Sequence, residues 1–375
     1  MTDTELVTDS ELMSIGAFAE LAGLTTSALR FYDDAGVLRP HHVDPSSGYR
    51  FYSRSQLTRA TRLRQLRAIG MPLPTIDRFF TASAAEATTL IDEQVARATT
   101  QADEIAHAAT ALKASLDDAD CRPLCAVAGP VLAAAVHQVL ASTADDPDFP
   151  VLGGVRVEVD ADGITLTATD RYRLATRTLV ASRLPTADQP WAATVSGKDL
   201  AASTSLLRRS PSVTLAARAT TLDLRMADST KTPDSTKTPD STETPEKFET
   251  HCRLLTADFP DRSVLLASLA APTHRVTVGT RQFLKALERA PEKVGLRVAD
   301  GRTTLLLPDE SVELDGTSTG HDITVWFELT TLYPALSNAL GSDVILDLRS
   351  TDQPATVRSA DDGDLTTLVM PCRPH

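Results

Sequence analysis

The sequence predicts an α+β multidomain protein: a winged helix-turn-helix, one long helix suited to a coiled coil, and two α/β-sheet domains. Three observations carry this. Residues 25–54 read as a helix, a turn-rich segment and a short alternating strand. Residues 84–117 hold neither Pro nor Gly and repeat apolar or Ala residues at heptad spacing. From Leu124 to the C-terminus, helix and strand signals alternate in a texture rich in Val, Leu and Thr. At 375 residues the chain is too long for one ordinary domain, and its 42% hydrophobic content suffices for real cores.

The net charge of −13 argues against a protein that coats nucleic acid over its whole surface. The charge is uneven, however. Residues 13–80 hold nine Arg and no Lys against five acids (Glu20, Asp33, Asp34, Asp44 and Asp77), a balance of +4 that leaves −17 for the rest. A compact N-terminal part is therefore the one suited to meet phosphate. No apolar run approaches the roughly 20 residues of a membrane span. The acidic N-terminus lacks a signal-peptide pattern, so a cytoplasmic protein without membrane contact is expected. Four cysteines make no disulfide framework in so long a chain.

Residues 1–12 are expected to fray. Ser14 suits the N-cap of a short helix ending at Gly23, and Thr25 or Thr26 that of a second ending near Gly36 and Pro40. The turn Ala22-Gly23-Leu24 between them makes a helix-turn-helix. In the second helix Leu29 and the aromatic pair can pack inward while Ser27 and Arg30 project. The turn chemistry of residues 41–48 precedes the strand Tyr49-Arg50-Phe51-Tyr52, a wing with Arg and Tyr at its edge. A third helix is capped near Ser53 and stops at Gly70. Its Leu57, Leu63 and Leu66 face a core, and Arg59, Arg62, Arg64 and Arg67 are assigned to a largely solvated face.

With SIGAFAELAGLTTSALRFYDDAGVLRP, GYRFYS and LRAIGMPLPTI, residues 13–80 resemble the DNA-binding domain of the MerR family of transcription regulators; the domain is drawn at 13–82. The resemblance implies that the second helix enters the major groove and the wing grips the backbone. It nominates Thr25, Ser27, Arg30, Tyr32, Arg50 and Tyr52 as contacts with double-stranded DNA. Phe31 and Phe51 are left to the core.

Behind this domain, Ile91, Val95, Ala98, Ala102, Ile105, Ala109, Leu112 and Leu116 recur in steps of four and three. The stripe predicts a coiled coil over residues 84–117, with a helix packed on its own chain as the alternative. In MerR-like proteins this helix pairs with its mate, so the resemblance implies a homodimer on a pseudo-palindromic operator. Cys121 and Cys125 follow, where some MerR relatives hold a metal or drug sensor. A C-x3-C pair with His107 four helical turns upstream, and Cys252 and Cys372 distant in sequence, is a poor metal signal. Ordinary thiols are expected, and no metal or other cofactor.

The remainder reads as two β-α-β-β-β-like units in series, which suggests a duplicated domain. Residues 229–246, STKTPD-STKTPD-STETPE, are almost devoid of apolar side chains and read as a disordered hairpin tip between two strands. On VLGGVRVEVDADGITLTATDRYRLA, LLTADFPDRSVLL, the helix over 332–340 and the terminal LVMPCR, residues 124–375 resemble the bacterial DNA polymerase III β sliding clamp. The match is to its second and third domains, drawn here at 124–255 and 256–375. The first clamp domain is absent, so ring closure around DNA is not expected. The resemblance implies a pocket for a short hydrophobic peptide or small molecule at Thr169, Arg171, Tyr172, Arg173, Leu174, Pro260, Leu265, Leu368 and Met370. The sequence departs from the clamp pattern at Val264, Thr331 and Cys372.

The expected function is a dimeric transcription regulator that distorts a promoter operator for RNA polymerase, with the clamp-like region as sensor or docking module. The alternative is a replication or repair accessory that recruits clamp-binding proteins to DNA. An enzyme is not expected: there is no Gly-rich phosphate loop, metal-ligand cluster or nucleophile elbow, and Asp160, Asp162 and Asp170 read as turn residues.

Overall fold

The computed structural model describes residues 12–116, 121–183, 189–226, 248–339, 341–361 and 364–374. The STKTPD repeats and residues 117–120 lie outside the described residues. The chain forms two compact units, Met1–Ala109 and Thr110–His375, divided inside its longest helix.

In the first unit, Ser14 caps α1 (Ile15–Ala22) by accepting from the Ala17 N–H at 3.3 Å. Gly23 closes α1 at φ 64, a left-handed conformation that favours glycine. Two residues later Thr25 caps α2 (Thr26–Asp34), accepting from Ala28 N–H at 3.1 Å. The helix-turn-helix is thus set by one glycine between two hydroxyl caps. The wing has three strands rather than two: β1 (Leu12–Ser14), β2 (His42–Val43) and β3 (Arg50–Ser53), in the order β1-β3-β2. Leu12, expected in a frayed tail, pairs with Ser53, so the segment just before α1 is an edge strand; the rest of that tail, residues 1–11, lies outside the described residues. Asp44 shapes the wing turn, accepting from the Ser46 hydroxyl and N–H at 2.6 and 2.8 Å. These bonds hold its carboxyl well below the usual carboxylate range.

Helices α3 (Leu57–Ala68) and α4 (Leu73–Thr81) complete the domain around fully buried Phe18, Leu29, Tyr52, Leu63, Met71 and Ile76. Helix α5 (Ala84–Leu116) starts from a reciprocal cap in which Ser83 N–H and hydroxyl both donate to the Glu86 carboxylate at 2.8 Å. Its Leu90 and Ile91 pack on the core of this unit, so Ile91 serves its own chain and not the predicted stripe. Farther along, Val95, Ala98, Ala102, Ile105, Ala109 and Leu112 are exposed; the side chain of Leu116 lies outside the described set.

The second unit repeats one motif four times. The first copy is β4 (Arg122–Val127), α6 (Gly129–Leu140), β5 (Gly154–Val159), β6 (Ile164–Thr169) and β7 (Arg173–Leu179). After the two-residue β8 (Ser182–Arg183) comes β9 (Trp191–Ser196), α7 (Gly197–Arg209), β10 (Val213–Ala217), β11 (Thr221–Met226) and β12 (Phe248–Leu255). The short α8 (Arg262–Ser268) leads to β13 (His274–Gly279), α9 (Thr280–Leu287), β14 (Lys293–Ala299), β15 (Arg302–Leu306) and β16 (Ser311–Leu314), with β17 (Gly316–Thr319) added. The last copy is β18 (Ile323–Glu328), α10 (Leu329–Ser337), β19 (Asp343–Leu348), β20 (Ala355–Ser359) and β21 (Leu365–Val369).

Within each pair of copies the first strand of one lies beside the meander of the other: β9 on β5, β4 on β10, β18 on β14, β13 on β19. That exchange makes one domain from two copies. It also explains why the sequence reading counted two units where there are four, since the partners of each first strand lie far off in sequence. Antiparallel pairing of β7 with β21, Leu174 opposite Leu368, then runs a 14-stranded sheet through both domains. Separate cores lie under it, one around Leu124, Ile164 and Leu166, the other around Phe283 and Phe327. No helix among the described residues is long and apolar enough to cross a membrane.

Candidate nucleic-acid interface and docking groove

Helix α2 offers Ser27, Arg30, Phe31 and Asp34 on its exposed face, with Thr25 exposed at its cap, and turns Leu29 and Tyr32 inward. The helical period explains this: 27, 30, 31 and 34 share a side, and 29 and 32 share the other. Tyr32 is thus a core residue, and Phe31, assigned to the core from sequence, is 57% exposed. The same inversion occurs on β3, where side chains alternate. Arg50 and Tyr52 face the helices. Tyr52 stacks on Phe18 at 4.6 Å and its hydroxyl donates to the Leu29 carbonyl at 3.4 Å. Burial, reinforced by the Asp33 charge, pushes its phenol up to about 12. Arg50 donates to Asp33 at 2.7 Å and lies 3.7 Å from Asp34, tying the wing to the end of α2. The outer side of the wing carries an aromatic group centred on Phe51, which the sequence assigns to the core: Tyr49 and His42 flank it, with ring centroids 5.3 and 6.3 Å away.

Two of the four arginines assigned to a solvated face of α3 have structural duties. Arg59 donates to the Val37 carbonyl at 3.1 Å and lies 3.9 Å over the Phe80 ring. Arg67 donates to the Met71 carbonyl at 2.8 Å. Arg62 and Arg64 are exposed.

In the second unit a groove of about 390 Å³ runs along the β7–β21 seam, lined by Leu174, Thr176, Thr178, Arg262, Leu266, Asp364, Thr366 and Leu368. Of the pocket residues expected from sequence, Leu174 and Leu368 line it. From α8, Arg262 and Leu266 line it in place of Pro260 and Leu265, because residues four apart share a helical face. Thr169, Arg171, Tyr172, Arg173 and Met370 are outside that lining and build the adjoining corner. The Thr169 hydroxyl donates to the Arg173 carbonyl at 2.7 Å, Arg173 pairs with Asp170 at 2.6 Å, and Met370 N–H donates to the Tyr172 carbonyl at 2.8 Å. Arg171, at φ 77, pairs with Asp146 at 2.7 Å and covers the Phe149 ring. Val264 and Leu265 remain exposed beside the groove. Thr331 is buried and donates to the Glu328 carbonyl at 2.9 Å.

The hairpin acids behave as turn residues. Asp160 accepts from the Asp162 and Gly163 N–H groups, and Asp170 from those of Tyr172 and Arg173. Cys125 and Cys252 are buried, and burial pushes each thiol up to about 12. The Cys121 sulfur accepts from Arg225 at 3.0 Å. Asp223, Glu249 and His251 lie close enough together to suggest a metal seat. Their oxygens are already engaged: Asp223 by Arg218, Thr221 and His251 at 2.5, 2.9 and 2.8 Å, and Glu249 by Arg225 at 2.8 Å. The group is an ion-pair network with two guanidiniums in it.

Comparison with known proteins divides the chain the same way. Residues 13–83 match the MerR HTH family of regulatory proteins, and residues 126–261 match the central domain of the DNA polymerase III beta subunit. The multidrug-efflux transporter 1 regulator of Bacillus subtilis is 42% identical over 60 residues, 16% of this chain and 22% of that protein. The beta sliding clamp of Streptomyces coelicolor is 51% identical over 51 residues, 14% of each chain. The chain thus spans about a fifth or less of these relatives' lengths. Among solved structures, the Bacillus subtilis sliding clamp superposes with a TM-score of 0.56 at 20% identity, over 68% of this chain and 65% of that one. The Thermotoga maritima beta subunit gives 0.57 at 19% identity, over 68% and 67%. At these identities the likeness is one of fold. The chain carries a MerR-type helix-turn-helix domain at its N-terminus and DNA polymerase III β clamp-like domains in the rest of its described length.

Proposed function

We propose that this chain is a DNA-binding transcription regulator of the MerR type. In this reading residues 13–82 are the reader, α5 joins two chains, and the clamp-like domains at 124–255 and 256–375 sense or dock a partner. The exposed face of α2 carries the proposal: Ser27, Arg30 and Phe31 stand out of a domain with a +4 balance, beside a wing fixed by Arg50. Thr25, Ser27 and Arg30 are the proposed contacts. Tyr32 and Tyr52 support the helix from behind, and Arg50 sets the wing angle. The exposed stripe on α5 supports a homodimer, and a two-fold dimer reads two half-sites separated by whole helical turns. Distortion of the untouched spacer, presented to RNA polymerase, is the proposed control step. The protein is read as non-enzymatic.

The test is to sequence the genomic duplexes that the full chain retains. A pseudo-palindrome with half-sites one or two turns apart is the expected result, and random recovery would sink the reading. A second reading, a replication or repair accessory, is favoured by the seam groove and the exposed apolar residues of α8. It predicts that a short hydrophobic peptide binds the groove without changing operator affinity. The sensor reading predicts that peptide or small-molecule occupancy and operator affinity shift each other equally.

A further inference from the structure

Phe31 is the apolar residue on an otherwise polar face of α2. It is 57% exposed, between Ser27 and Arg30 on one side and Asp34 on the other, while its neighbour Tyr32 is 7% exposed in the core. The two rings diverge, with centroids 5.8 Å apart. Phe31 is not among the side chains that build this core, and covering its ring with an apolar partner would remove that surface from water. Of the acids nearest to it, Asp33 is paired with Arg50 at 2.7 Å, and Asp34 lies 3.7 Å from the same guanidinium and stays exposed. The face thus carries one cation, one hydroxyl and one large apolar ring, with one carboxylate, Asp34, at its far end.

A helix face with that composition has a limited set of complements in a major groove. Donors and acceptors of the base edges suit Arg30 and Ser27. The apolar feature that the groove presents is the C5-methyl group of thymine. We propose that Phe31 is a specificity-determining residue that packs on a thymine methyl in each half-site, so that the operator carries a fixed thymine there. This rests on the DNA-reading assignment above and adds a base identity to it.

The experiment needs no prior operator. Full-length chain selects from a random-sequence duplex pool, and the recovered consensus supplies the half-site. Each thymine of the half-site is then replaced singly by deoxyuridine, which deletes the methyl group and leaves every hydrogen-bonding atom. The expected result is one thymine at which the replacement weakens wild-type binding about four-fold, the effect of one buried methyl group. Phe31→Ala binds the thymine and deoxyuridine duplexes equally, and Phe31→Leu keeps part of the preference. The substitutions remove an exposed ring, so the melting temperature of each variant should match the wild type. If no methyl deletion affects the wild type, or if Phe31→Ala stays as sensitive as the wild type, the proposal is overturned and operator binding stands. If the pool yields no consensus at all, the DNA-reading assignment fails and takes the proposal with it.

Discussion

Arg50 and Tyr52 share the inner face of β3, and that face decides what they do. Arg50 pairs with Asp33 and lies 3.7 Å from Asp34 at the end of α2. Arg30, one turn earlier, is exposed and makes no ion pair among the described residues. Their substitutions should therefore differ. Arg30→Ala should weaken operator binding and lower the slope of log affinity against log salt by about one. Arg50→Ala should weaken it more, because two carboxylates then confront phosphate and the wing loses its tether. Adding Asp33→Asn to Arg50→Ala should recover part of the loss; no recovery would mean that Arg50 acts as a phosphate contact instead. The sequence held the information for this layout in its periods. Leu29 and Tyr32 are three apart on a helix, and Arg50 and Tyr52 two apart on a strand. The contact roles of Tyr32 and Tyr52 rest on the MerR resemblance, whereas these periods turn both side chains inward and Phe31 outward.

At the scale of elements, helix caps and turns were the most legible features, because Ser14, Gly23, Thr25, Ser53 and Gly70 each act on residues within four positions. Elements whose partners lie far away were not. Strand β1 is three residues long, and β3, its partner, lies about forty residues on. The four-fold motif is hidden by the exchange of first strands, and the groove lining was missed because the phase of α8 is set by its N-cap, Asp261. The stripe on α5 was legible from Val95 onward, and Ile91 was lost from it to the local core. Ile105 is 62% exposed, so Ile105→Asp disturbs no core of the single chain. Sedimentation should show a dimer for the wild type and a monomer for that variant. Truncation after Ala82 should likewise give a monomer that binds a half-site poorly. A dimer of unchanged stability in either case would refute pairing through α5.

Across the whole molecule, the first unit and the clamp-like unit have separate cores, and among the described residues the buried acids lie in the clamp-like unit. Among the described residues of the clamp-like unit, Asp223 is fully buried between Arg218, Thr221 and His251. Burial by itself raises its carboxyl, but the bonds from His251, Arg218 and Thr221 overcome this and hold it below the usual carboxylate range. A carboxyl lowered in the folded state contributes stability that is fully present above the unfolded value near 4. That stability is lost as pH falls through the lower folded value. The clamp-like unit should therefore lose stability in acid through Asp223. Asp223→Asn removes the charge that compensates Arg218 and should cost about 3–5 kcal/mol at neutral pH. With two units in the chain, each melting transition must be followed separately. Calorimetry of wild type and variant from pH 7 down to pH 2 should show a gap between their clamp-unit transitions that narrows steadily below pH 4. A gap that stays constant to pH 2 would show that folding does not lower this carboxyl, and would overturn the prediction.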